Sequence, residues 1–79
     1  MNTLIRIKDV MAMTGAKKAT IYAQMAEGVL PRPIKLSRKF ACWPQHEISQ
    51  LINARIAGWS EDKIKTLVAG LMEARKSRA

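Results

Sequence analysis

The chain carries one cysteine, one histidine, four aromatic residues and only six carboxylates in 79 residues. Each scarcity excludes something. A lone thiol, Cys42, permits no disulfide within the chain and no cysteine-based metal site, which fits a reducing cytoplasm. His46 has no second histidine and no fitting carboxylate at ligand spacing, so no metal and no cofactor are expected. Few aromatics leave little for stacking single-stranded bases, because Tyr22, Phe40 and Trp43 all have uses in a core. No apolar run approaches the roughly 20 residues that cross a bilayer. The start, Met1 to Arg6, lacks the apolar stretch of a secretory signal. There is no nucleophile–base constellation, no phosphate-cradling glycine loop and no purposeful carboxylate pair. A chain this short buries only about 60% of its unfolded surface, which leaves no room for both a core and a deep catalytic pocket. No enzyme is expected.

What the chain has in excess is positive charge. Fourteen Lys and Arg oppose six Asp and Glu, for a net +8 and a pI near 10.3. The excess is uneven. Lys17, Lys18, Arg32, Lys35, Arg38 and Lys39 face only Glu27, so this segment holds +5 of the +8. Charge of one sign concentrated on one stretch points to an anionic partner.

The same stretch has a readable architecture. Val10 and Met13, with Leu4 or Ile5, recur at helical spacing, which predicts a first helix from Ile5 to Met13 closed by Thr14-Gly15. Ile21 and Met25 share one face of a second helix, Lys18 to Glu27, stopped by Gly28. Pro31 and Pro33 keep that helix from resuming. Ile34-Lys35-Leu36 and Phe40-Ala41-Cys42-Trp43 then read as the two strands of a hairpin, Pro33 to Trp43. Its tip, Ser37-Arg38-Lys39, has no glycine, so a loop of about three residues is expected over a tight two-residue turn. Two helices joined by a tight glycine turn are a helix-turn-helix signal, and the cationic hairpin is a candidate wing.

Pro44 suits the first turn of a third helix carrying Ile48, Leu51, Ile52, Arg55 and Ile56 to Gly58. Ser60 then reads as an N-cap, with Glu61 and Asp62 at the positive end of the helix dipole and Trp59 and Ile64 at staple spacing. Ile64, Leu67, Val68, Leu71 and Met72 form an apolar stripe on this last helix. The stripe either packs on its own core or pairs with a second copy. Arg75-Lys76-Ser77-Arg78 reads as a frayed basic tail. The expected fold is therefore mainly α with a small β-hairpin, a winged helix-turn-helix plus a C-terminal helix. The expected division is 1–58 for the winged domain and 59–79 for the C-terminal helix and tail.

Several separated motifs, in order, carry a family likeness. Met11-Ala12-Met13-Thr14-Gly15, Thr20-Ile21-Tyr22, Met25-Ala26-Glu27-Gly28, Pro31-Arg32-Pro33-Ile34-Lys35-Leu36, Trp43 and Glu47-Ile48 resemble the AlpA-like prophage regulators. These are relatives of phage excisionases with a MerR-type winged helix-turn-helix. The resemblance spans about residues 4 to 57. It implies sequence-specific binding to double-stranded DNA in a bacterial cytoplasm, at the nucleoid. It also implies control of an integrase gene, or help to an integrase in excision, with integrase or RNA polymerase as protein partners. Three departures stand out. Lys17-Lys18 stands where the family commonly has Ser then Arg, Ala23 where Arg is frequent, and Ser37-Arg38-Lys39 where a glycine often sits.

The candidate DNA-binding residues follow from this reading. Lys17 and Lys18, at the start of the second helix, suit phosphate oxygens. Thr20 suits a phosphate or a thymine methyl, and Ala23 only the methyl. Tyr22 can turn its ring to the core and its hydroxyl to a phosphate. Arg38 and Lys39 at the tip suit a narrow minor groove, with Lys35 and Arg32 beside them. Trp43 is expected in the core and His46 on an exposed helix surface. The competing reading is a protein-interaction module, antirepressor-like, whose basic face meets an acidic protein.

Overall fold

The computed structural model describes residues 3–77. The elements run β1 (Leu4–Ile5), α1 (Ile7–Thr14), α2 (Lys18–Glu27), β2 (Ile34–Ser37), β3 (Phe40–Pro44), α3 (Gln45–Ile56) and α4 (Glu61–Ser77). Four helices surround one small antiparallel sheet ordered β1-β3-β2. This is a winged helix-turn-helix with an added helix.

Three left-handed glycines punctuate the helices. Gly15, at φ 72, closes α1 by donating its N–H to the Met11 carbonyl at 2.8 Å. The Thr14 hydroxyl donates to the Val10 carbonyl at 2.8 Å and accepts the Ala16 N–H at 3.3 Å, which braces the turn into α2. At Gly28, φ 82, the end of α2 is a Schellman closure. There Val29 N–H reaches Gln24 O at 3.0 Å and Gly28 N–H reaches Met25 O at 3.2 Å. Val29 and Leu30 then turn into the core. Gly58 closes α3 in the same way, with Trp59 N–H on Ala54 O at 3.1 Å. An L-residue with a Cβ resists this backbone conformation.

Two expectations about the sheet need correction. Leu4 and Ile5 are not helical. They form β1, paired antiparallel with β3 in the register Leu4↔Pro44 and Ile5↔Trp43. Ile5 is buried as its apolar character requires, but through sheet pairing, and α1 starts at Ile7. The hairpin tip also closes more tightly than expected. Ser37 pairs with Phe40 across Arg38 and Lys39 alone, and the register slips by one residue between Lys35 and Ser37. No non-glycine residue has positive φ among the described residues. A mirror-image two-residue turn needs positive φ, so the strand absorbs the geometry as a bulge at Leu36 instead.

The core joins Ile5, Val10, Ile21, Val29, Leu30, Trp43, Ile48, Leu51 and Ala54 to Ile64 and Val68 of α4. Burying each Val, Leu or Ile side chain among these contributes about 1.5–3 kcal/mol. α4 thus lies on its own chain, against α3. Its start is fixed by the Ser60 hydroxyl, which accepts the Lys63 N–H at 3.3 Å. Its end is fixed by an ion pair. Arg75 donates Nε to Glu47 Oε2 at 2.9 Å and Nη2 to Glu47 Oε1 at 2.5 Å. Glu47 is only 2% exposed. Arg75 is therefore a structural anchor and not part of a frayed tail, and Arg78 lies outside the described residues.

Candidate nucleic-acid interface

The second helix is held by one face. Ile21 is fully buried and Met25 half-buried, four residues further along. With about 3.6 residues per turn, Ala19, Ala23 and Ala26 point the opposite way, flanked by Tyr22 and Thr20. All five are exposed, and Tyr22 keeps 54% of its surface. The outer face of α2 is therefore narrow and nearly free of long side chains at its centre. Lys17, the N-cap, offers no side-chain acceptor to the first turn of α2, and no carboxylate lies there. Lys17 and Lys18 are both exposed beside these amides.

The wing residues are equally open. Arg38 and Lys39 form the two-residue tip, Lys35 sits on the edge strand β2, and Arg32 precedes it in the loop. All four side chains are exposed. Among the described residues the ion pairs are Glu47–Arg75 and Glu73–Lys76, so none of the six cations from Lys17 to Lys39 has a carboxylate partner. The positive field of this segment is not neutralised internally.

The loop that connects α2 to the wing is pinned at two successive carbonyls. Trp43 Nε1 donates to Pro31 O at 2.8 Å from a buried position. Arg75 Nη1 donates to Arg32 O at 2.8 Å. Both are side chain to backbone bonds across long stretches of sequence, and they restrain the wing relative to α2. The Trp43 bond fits the expected core role of that residue. Arg75 and Glu47 were not legible as parts of this brace. Their separation in sequence leaves no local signal, apart from the oddity of a carboxylate opening an apolar-faced helix. His46 is half-buried, not open on the surface, in a shallow cleft with Leu4, Glu47 and Leu71.

Among the described residues no three His, Cys, Asp or Glu side chains gather as metal ligands. Cys42 is buried and free. No helix among them is long and apolar enough to cross a membrane.

Comparison with known proteins places this architecture. The family described as "Prophage CP4-57 regulatory protein (AlpA)" matches residues 3–56. The chain belongs to the AlpA family of prophage regulatory proteins. The AlpA match spans β1 through α3, and so takes in every candidate contact residue and Glu47, but not α4 or Arg75. One relative is the "Uncharacterized protein ORF88" of Enterobacteria phage P4, 32% identical over 54 residues. That alignment covers 68% of this AlpA-family chain and 61% of the phage P4 protein. No solved structure matches.

Proposed function

We propose that this chain is a sequence-specific DNA-binding regulator of a prophage or mobile element. In this reading α2 enters the major groove with its alanine-centred face inward. Thr20 and Tyr22 flank that face, and Lys17 and Lys18 hold phosphates at the first turn of the helix. Ala23 meets a thymine methyl. Arg38 and Lys39 lie on the neighbouring backbone or in the minor groove, with Lys35 and Arg32 beside them. The observation that carries the reading is the exposure of all nine of these side chains, with six uncompensated cations among them. Residues retained for packing would be covered, and residues retained only for solubility have no reason to cluster on a helix-turn-helix and its wing.

The family match supports a regulatory role in a prophage. We infer that this role is control of an integrase gene, cooperation with the integrase in excision, or both, since one DNA-binding surface serves either. A mobility-shift titration on the DNA upstream of the protein's own gene tests the binding. Lys18→Ala and Arg38→Ala each weaken the complex, and both lower its salt sensitivity. Failure of the unaltered protein to retard duplex at low salt overturns the proposal. A recombination assay with the element's integrase, with and without this protein, separates excision from gene control.

A further inference from the structure

The Arg6 guanidinium lies 4.5 Å from the ring centroid of Phe40, and this contact belongs to none of the motifs above. Arg6 joins β1 to α1, and Phe40 is the residue that follows the wing tip. Both are exposed, Phe40 at 38%. The root of Arg6 is fixed. Its N–H donates to the Asp9 carboxylate at 3.2 Å, and its carbonyl accepts the N–H groups of Asp9 and Val10 at 2.9 and 3.1 Å. Its head rests over the aromatic face, a contact that favours this placement about two- to fivefold at an exposed site. Among the described residues the guanidinium has no carboxylate and no hydrogen-bond partner. An exposed arginine is ordinarily a loose chain that loses rotamer freedom when it binds. Here a stacked planar fork is held in place with its N–H edges unoccupied, a form suited to two parallel bonds with a phosphate.

We propose that Arg6, stacked on Phe40, is a further phosphate anchor of the DNA-binding surface, placed at the root of the wing. The proposal rests on the DNA-binding reading above. Phe40 acts as a positioning residue. It holds the guanidinium over the start of β3, at the foot of the wing tip, so that the wing contact and the Arg6 contact fall on the same backbone. This adds a seventh cation to the segment's six and gives Phe40 a reason to remain half-open to solvent.

The test uses the full chain and a fluorescently labelled mixed-sequence duplex of about 30 base pairs, because phosphate contacts are independent of sequence. Anisotropy titrations between about 50 and 200 mM salt give affinity and salt slope together. Arg6→Ala lowers affinity about tenfold at low salt. It also flattens the slope of log K against log salt by about 0.9. Arg6→Lys keeps the charge and therefore the slope, yet loses affinity about two- to fivefold, as the planar stack is replaced. Phe40→Leu does the same, because it keeps an apolar side chain and removes the aromatic face. Circular dichroism confirms that each variant is folded. If Arg6→Ala binds with unchanged affinity and slope while Arg38→Ala is impaired, Arg6 is outside the interface and the proposal fails with the DNA reading intact. If the unaltered chain does not bind the duplex at all, both fail.

Discussion

Removing the Arg75 guanidinium strands a carboxylate in the core. Glu47 is 2% exposed, and every hydrogen bond to its side-chain oxygens among the described residues comes from Arg75. Breaking a buried pair by deleting one partner costs about 3–5 kcal/mol, because the remaining charge keeps its desolvation penalty and loses its compensation. Arg75 retains 20% exposure, so the lower end of that range, about 3 kcal/mol, applies to Arg75→Ala. A further 1 kcal/mol or so goes with the bond to Arg32 O. Natural domains hold about 0.05–0.15 kcal/mol per residue, so a 79-residue chain has about 4–12 kcal/mol to lose. The combined loss of about 4 kcal/mol lowers Tm by about 16–32 °C in a domain of this size. The double replacement Glu47→Met with Arg75→Met removes the charge along with its partner. It is expected to recover most of that stability or exceed the parent, since the pair's Coulomb attraction only offsets what burial costs. Urea denaturation followed by circular dichroism measures both variants. Arg75→Ala within about 0.5 kcal/mol of the parent, the range of ordinary surface substitutions, would refute the reasoning, as would a double variant no better than the single.

Three further outcomes are expected. Trp43→Phe leaves the Pro31 carbonyl without its buried donor and costs about 1–3 kcal/mol in urea midpoint measurements; an unchanged midpoint would remove the loop brace from the account. Ile21→Ala empties the anchor of α2 and costs about 2–5 kcal/mol by the same assay, whereas Thr20→Ala on the outer side leaves stability within about 0.5 kcal/mol; equal costs would mean that the helix is oriented otherwise. Ala23→Arg places a cation on the exposed face of α2, and tightens duplex binding with a salt slope steeper by about 0.9; weaker binding would show that this face admits only small side chains.

Legibility in the sequence was greatest where the signals were local. The span of α2 from Lys18 to Glu27 matches its reading because Gly28 marks the stop and the Ile21–Met25 pair marks the face. Trp43 in the core and Gly58 at the α3 stop are similarly local inferences. Non-local pairings were opaque. β1 has two residues, too few to show alternation, and exists because residues 43–44 lie beside it. Ile5 therefore looked helical by spacing while being buried for another reason. The hairpin tip differs from its reading because the absence of a glycine argues against mirror-image turns but says nothing about a bulge at Leu36. Arg75 read as a tail because its partners, Glu47 and the Arg32 carbonyl, are 28 and 43 residues away. The stack of Arg6 on Phe40 belongs to the same class. The cationic candidates for contact are legible because charge clustering survives in one dimension. The brace that holds them was not found, because bracing is a property of the fold.

The salt dependence of duplex binding tests the central claim most directly. With about five phosphates neutralised by the cations of α2 and the wing, log K is expected to fall against log salt with a slope near −4 to −5. A slope near zero would contradict the assignment of this surface to DNA.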